Sequence, residues 1–210
     1  SSLNILEMIA SSARRGADIL KQLLLFGRGE QEVCESLHLG PLIKEMVKIM
    51  EETFPKDITV QHRIPPDLPA IQGNVTHMHQ VIMNLCINAR DAMPNGGTLT
   101  LTAQVEDILE DREASVPGPH VVLGVDDTGS GISPEILDKI YDPFFTTKPL
   151  GKGTGLGLST VLGIVRSHHG FIRVKSQEGQ GTQFRIYLPA RSDTSTEKAP
   201  SLSSAAPAGQ

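Results

Sequence analysis

Val75 to Met93 can hardly fold as anything but a helix, and much of the surrounding architecture follows from it. Met78, Val81, Ile82, Leu85, Ala89 and Ala92 recur at three- and four-residue intervals and line one face. Pro94-Asn95-Gly96-Gly97 then stops the pattern and turns the chain. A helix with one broad apolar face needs a second layer to bury it. The flanking sequence supplies that layer as strand-like runs at Ile58–Ile64, Ala70–Gly73, Thr98–Val105, His120–Val125, Phe171–Ser176 and Gln183–Leu188. Pro41–Glu52 reads as a further amphipathic helix with proline in its first turn. Ser133-Pro134 opens a short helix, as cap and first position. A glycine-rich stretch leads into a last helix that runs through His169 and stops at Gly170. This order predicts an α+β domain over residues 38–190, a two-layer α/β sandwich whose mixed, mostly antiparallel sheet carries helices on one face.

The remaining segments read differently. In residues 1–30, Leu3, Ala10, Ala17 and Leu24 form one seven-residue repeat and Leu6, Ala13, Leu20 and Gly27 a second, an a/d seam suited to a helical bundle. A core helix of the following domain is the alternative, against which Gly27 and Gly29 end the pattern before that domain begins. Residues 31–37 read as a linker. Residues 191–210, rich in Ser, Thr, Ala and Pro, have too little apolar surface to order themselves and read as a tail or linker. The net charge of -5 argues against a nucleic-acid partner. No apolar run approaches the length of a membrane span, so a cytoplasmic segment without membrane contact is expected. The chain starts at Ser1 in mid-pattern, as a fragment would, so a membrane or sensor segment upstream is compatible with it. Cys34 and Cys86 have no metal-ligand spacing.

Four motifs carry candidate chemistry. Asn84 and Asn88 lie four apart on the Val75–Met93 helix, so both amides share one stripe. Amide oxygens are hard ligands that suit Mg²⁺, although an isolated pair of this spacing is more often a solvated helix face. Asp127-x-Gly129-x-Gly131 follows directly on a strand, where a carboxylate can accept from a ligand amino group while glycines let backbone approach a flat ring. A loop with a capping aspartate is an equal reading of that motif alone, and the glycine spacing favours Asp127 over Asp126. Phe144-Phe145 precede Lys148, Lys152 and the run Gly153-Thr154-Gly155-Leu156-Gly157-Leu158, which opens a helix and turns free N–H groups toward an anion. Two phenylalanines on a loop suggest a hinged lid anchored at one end. Gly179-Gln180-Gly181-Thr182 reads first as a hairpin turn.

Taken in order, these motifs resemble the N, G1, F, G2 and G3 boxes of the ATP-binding domain of bacterial two-component sensor histidine kinases. FFTTK and NARDAM further resemble the nitrogen-regulation type of kinase and its hybrid relatives. The resemblance covers roughly residues 38–190 and implies the Bergerat fold shared with DNA gyrase, heat-shock chaperone and mismatch-repair ATPases. It implies ATP and Mg²⁺ as cofactors, with Asn88 as metal ligand and Asn84 beside it near metal and phosphates. It gives Asp127 the adenine amino group, with Thr182 supporting through water and Gly129 and Gly131 shaping the pocket. Gly153, Thr154, Gly155 and Gly157 would hold phosphates as part of the lid, with Leu156 and Leu158 beneath, Phe145 as lid anchor and Lys148 on the γ-phosphate. Many members carry a basic residue three after the metal-binding Asn. Here that position is Asp91, and Phe171 follows Gly170 where a second glycine is frequent.

The hydrolysing relatives place a glutamate four before the metal Asn as base for water. Asn84 stands there and cannot take a proton, which favours phosphoryl transfer, a reaction driven by positioning and charge neutralisation. The family's acceptor is a His followed by an acidic residue on the first helix of a dimerising hairpin, and none of the seven histidines fits. Residues 1–30 instead resemble the second helix of that hairpin. The expectation is thus a kinase domain lacking its acceptor helix, unable to phosphorylate itself on the usual His. Its expected partners are an upstream phosphoacceptor helix, a response-regulator receiver domain and, in the intact protein, a second copy through the N-terminal helix. The alternatives are a gyrase- or chaperone-like ATPase and a non-catalytic nucleotide-sensing dimerisation module.

Overall fold

A computed structural model describes residues 34–109, 116–149 and 153–191. In chain order these form β1 (Glu35–Leu37), α1 (Leu39–Thr53), β2 (Ile58–Arg63), β3 (Ile71–Gly73), α2 (Val75–Ala92), β4 (Gly97–Ile108) and β5 (Gly118–Asp127). A 3-10 turn (Leu137–Lys139), α3 (Gly157–Ser167), β6 (Phe171–Gln177) and β7 (Gly181–Pro189) follow. The five-stranded sheet has the order β2-β4-β5-β7-β6. Its β2–β4 pair is parallel and the other three pairs antiparallel.

Period-two alternation decides which sheet face is covered. Leu99, Leu101 and Ala103 of β4, Val121, Leu123 and Val125 of β5, and Phe184, Ile186 and Leu188 of β7 point into one core. Register keeps them together, with Leu101 opposite Val125 and Leu123 opposite Ile186. The three helices lay their apolar stripes on that face: Leu39, Ile43, Met46 and Met50 from α1, Met78, Val81, Ile82 and Leu85 from α2, and Val161, Ile164 and Val165 from α3. Each such side chain contributes about 1.5–3 kcal/mol by leaving water. The opposite face carries only a small cluster, Val122, Phe171 and Tyr187. The rings of Phe171 and Tyr187 stack at 4.4 Å, and the Arg173 guanidinium sits 5.2 Å from each ring centre.

The expected two-layer, mostly antiparallel architecture is therefore what the chain adopts, with three local differences. The segment read as a linker includes β1, which pairs antiparallel with β3 from Glu35 opposite Gly73 to Leu37 opposite Ile71. Ser133-Pro134 does not start a helix; Ile136 N–H bonds back to Ser133 O, and the 3-10 turn forms only from Leu137. The last helix ends at Ser167 rather than His169. His168, just past the helix, is fixed at both ring nitrogens: its Nδ1–H donates to Ile164 O at 2.7 Å and its Nε2 accepts from Asn74 N–H at 3.2 Å. The helical repeat of residues 1–30 and the tail beyond Arg191 lie outside the described residues.

One seam ties the domain together at its edge. β3 pairs with β1 on one side and bridges Ala190 on the other, and Arg191 N–H donates to Ala70 O at 2.7 Å. Asn74, immediately after β3, caps α2 by accepting from His77 N–H at 3.1 Å. α2 runs away from this seam and α3 runs back toward it, so their far ends, Asn88–Ala92 and Gly157, meet at the opposite edge of the helix layer.

Candidate functional site

At that opposite edge a cleft of about 240 Å³ opens between α2, the loop after β5 and the segment preceding α3. A second compartment continues from it toward the start of α3, and the two share Asn88, Asp91, Phe145, Lys148 and Leu158.

Asp127 ends β5 at the back of the first compartment, 9% exposed. Its Oδ1 accepts from Gly129 N–H at 2.8 Å, and Thr182 N–H also donates to the carboxylate. Burial pushes the carboxyl above its ordinary value; these two bonds oppose the rise without cancelling it. A carboxylate held this way is a fixed acceptor for a buried donor. Asp126, one residue earlier, points to the other sheet face and pairs with Arg185, whose second guanidinium nitrogen lies 2.9 Å from its carboxylate. Strand alternation thus sends two consecutive aspartates to opposite faces of the sheet.

The glycines of this loop are required by protein backbone. A Cβ on Gly129 would lie 2.6 Å from Ala92 O, and Ser130 N–H bonds that same oxygen at 2.9 Å. Gly131 has φ +71°, and a Cβ there would lie 2.1 Å from Gln177 O. The loop is therefore wedged between the end of α2 and the β6–β7 turn. Thr182, buried opposite Asp127, is held by a residue the motifs did not include. Ser176 Oγ donates to Gly181 O at 3.0 Å, accepts from Ile132 N–H at 2.8 Å and meets Thr182 Oγ1 at 2.9 Å. Only the pairing of Ser176 opposite Thr182 reveals this role.

In the second compartment no side chain caps α3. Its first-turn N–H groups and the positive end of its dipole suit an anion. Asn84 Nδ2 donates to Gly157 O at 3.4 Å, which commits the nitrogen end of that amide and leaves the oxygen for a cation or water. Gly153, Thr154 and Gly155 border the same compartment, Leu156 is buried beneath it and Leu158 packs against the core. Gly151 and Lys152 lie outside the described residues.

The segments on either side of residues 150–152 are clasped together at Phe144 and Gly155. Phe144 N–H donates to Gly155 O at 2.9 Å, and Gly155, at φ +68°, would place a Cβ 2.3 Å from the Phe144 carbonyl carbon. Phe145 lines both compartments, as an anchor would. Phe144 does not pack: it is 63% exposed with φ 68°, contrary to the expectation for the pair. Lys148 reaches across to α2, its Nζ 2.6 Å from Asp91 Oδ2 and 3.2 Å from Asn88 Oδ1. Asp91 also takes Arg90 on its other oxygen, at 2.7 and 3.0 Å. Partial burial works to raise the Asp91 carboxyl, but the bonds from Lys148 and Arg90 outweigh it and hold the group below its usual range.

These residues fit a Mg²⁺–nucleotide. Asn88 Oδ1 already accepts a cation in the form of the Lys148 ammonium. Among the described residues no cluster of three or more His, Cys, Asp or Glu could hold a metal ion alone. A metal carried largely by phosphates and water, with few protein ligands, suits that donor set. Among the described residues no helix is long and apolar enough to cross a membrane.

Comparison with known proteins agrees with the geometry. The family described as histidine kinase-, DNA gyrase B- and HSP90-like ATPase matches residues 73–192. The chain is similar to the sensor kinase CckA of Brucella abortus, with 40% identity over 86% of this chain and 20% of that protein. It therefore spans about a fifth of that relative's length. The catalytic domain of the histidine kinase ThkA superposes with a TM-score of 0.60 at 30% identity, over 75% of this chain and 95% of that one. ThkA in complex with the response regulator TrrA superposes with a TM-score of 0.65 at 26% identity, over 88% of this chain and 50% of that one.

Proposed function

The chain belongs to the histidine kinase-, DNA gyrase B- and HSP90-like ATPase family, and on that premise we propose that it transfers the γ-phosphoryl of Mg-ATP to a histidine on a partner helix. The observation that carries this reading is the continuity of the cleft. A buried acceptor, Asp127, lies in one compartment, while the uncapped α3 terminus, two amides and Lys148 lie in the other.

In this reading Asp127 accepts from the adenine amino group, and Thr182, its hydroxyl turned to Ser176 as donor, accepts from a bridging water. Gly129 and Gly131 hold that pocket's shape. Asn88 and Asn84 offer amide oxygens to the metal. Gly153, Thr154, Gly155 and Gly157 face the phosphates, Lys148 reaches the γ-phosphate, and Phe145 with Leu156 and Leu158 supports the lid from below. A bound Mg²⁺ would supply charge neutralisation between phosphate oxygens. Asn84 cannot act as base for water, which supports transfer over hydrolysis by a gyrase- or chaperone-like mechanism.

In this reading the ATP-binding unit comprises residues 38–190, with β1 (Glu35–Leu37) laid along β3 at its edge. Residues 1–30, whose sequence resembles the second helix of a dimerising hairpin, lie outside the described residues, and in this reading the phosphoryl group passes on to a receiver-domain aspartate. The complex of ThkA with the response regulator TrrA supports the last step. The segment acts in the cytoplasm, where ATP is available. The test is incubation with labelled ATP and a protein carrying the acceptor helix. Acid-labile, base-stable label on that helix is expected. ATP binding with no transfer would favour a nucleotide-sensing module, and rapid phosphate release a hydrolase.

A further inference from the structure

Asn88 and Asp91 stand one turn apart on α2, and their oxygens converge on a single cation, the ammonium of Lys148. That ammonium arrives from the lid segment, 57 residues away from Asp91 in sequence. Its stem is fixed nearby, because Lys148 N–H donates to Thr146 Oγ1 at 3.2 Å. Asp91 is itself held in place by Arg90, so the carboxylate oxygen that faces Lys148 is preset rather than free to follow it. The Asn88 oxygen that Lys148 touches is the one a divalent cation would need. Two cations cannot share that oxygen at close range without strong repulsion. The Lys148 ammonium also lies within reach of both compartments of the cleft.

Building on the nucleotide reading above, we infer that Lys148 and Mg²⁺ exchange places on Asn88 Oδ1, and that Asp91 is the positioning residue that sets this exchange. With its carboxylate, Asp91 retains Lys148 on α2. When metal and phosphates enter, the Lys148 ammonium leaves Asn88 for the phosphate. Asp91 acts on the nucleotide through Lys148 and not by direct contact. Asp91 thereby acquires a use: one oxygen is occupied by Arg90 of its own helix, and the other holds the Lys148 ammonium against α2.

The experiment is a double-mutant cycle on the full chain, reading ATP affinity by calorimetry with excess Mg²⁺ and with EDTA. Asp91→Asn releases Lys148 to the phosphates, so affinity in EDTA is expected to rise about tenfold, equivalent to about 1.4 kcal/mol. Lys148→Met removes the internal cation, so affinity in EDTA falls and the gain on adding Mg²⁺ grows. In the Lys148→Met background, Asp91→Asn is expected to change nothing, since its effect passes through the lysine. An equal gain from Asp91→Asn in both backgrounds would show plain repulsion of phosphate by the carboxylate and overturn the inference alone. Absence of ATP binding by the unaltered chain in either condition, with folding confirmed by circular dichroism, would instead overturn the nucleotide reading on which it rests.

Discussion

Two glycines in one turn allow the backbone-contact argument to be tested within a few ångströms. Gly179 has φ +73° and Gly181 φ +96°, so alanine at either position must adopt a backbone that L-residues avoid, at about 1–2 kcal/mol. Their surroundings differ. A Cβ on Gly179 meets nothing within 4 Å, whereas one on Gly181 would lie 1.9 Å from Asp127 O and 3.0 Å from the Thr128 Cα. Those are backbone atoms and cannot rotate aside, so relief requires β5 and β7 to part, adding about 1–3 kcal/mol. Gly179→Ala should therefore cost about 1–2 kcal/mol and Gly181→Ala about 2–5 kcal/mol. For a domain of this size each kcal/mol lowers Tm by about 2–4 °C. Binding should separate them further. Gly179→Ala leaves Asp127 in place and ATP affinity unchanged, while Gly181→Ala displaces the carboxylate and weakens ATP by at least about tenfold, or 1.4 kcal/mol. Thermal unfolding and ATP calorimetry on both variants decide it. Equal Tm losses, or unaltered affinity in Gly181→Ala, would refute the claim that this glycine serves the approach of β7 to Asp127.

Asp127→Asn places an amide N–H where the adenine amino group must donate, and should weaken ATP by about 10- to 100-fold, the worth of a hydrogen bond to a charged group; normal affinity by calorimetry would remove Asp127 from the site. Because the folded-state pKa of Asp127 is raised, the folded chain binds its proton more tightly than the unfolded chain. Its contribution to stability is therefore present at low pH and is lost as pH rises from the unfolded value through the folded one. Denaturant titrations across acidic pH should show that loss flattened in Asp127→Asn. Cys86 is fully buried with its thiol pushed up to about 12 by desolvation, whereas Cys34 is exposed. A thiol reagent should label one cysteine in the native chain and two only on unfolding. Leu85→Ala, at a site 1% exposed, should cost about 2–5 kcal/mol by urea unfolding; a loss under 1 kcal/mol would mean that α2 is not packed as described.

The helices and strands were legible because each buries one face, and burial leaves a period in the sequence. α2 shows this well: Met78, Val81, Ile82, Leu85 and Ala89 of the stripe are buried, with His77 and Cys86 beside them, and of the stripe only Ala92 at its end is less covered. β1 was not legible, since Glu35-Ser36-Leu37 is too short to show alternation and becomes a strand only by lying along β3. The glycine boxes announced a nucleotide site, but their local purpose was hidden. Gly129, Gly131 and Gly181 are small because another segment's backbone passes within contact distance, and no local pattern records which one. Ser176 escaped notice for the same reason. Its importance comes from facing Thr182 across a strand pair, a relation that exists only in the folded chain.

The seam at β3 has a mechanical consequence. The described backbone begins beside Ile71–Gly73, and at its other end Ala190 bridges Ile71 while Arg191 N–H bonds Ala70 O. The 11-residue α3 ends near this point with His168 bonded to Asn74, and begins at the phosphate end, about 16 Å away at 1.5 Å per residue. The two ends of the described chain thus lie side by side at β3, with the cleft at the far edge of the helix layer. A force applied at β3 therefore acts on the cleft with a lever arm of about 16 Å, the length of α3.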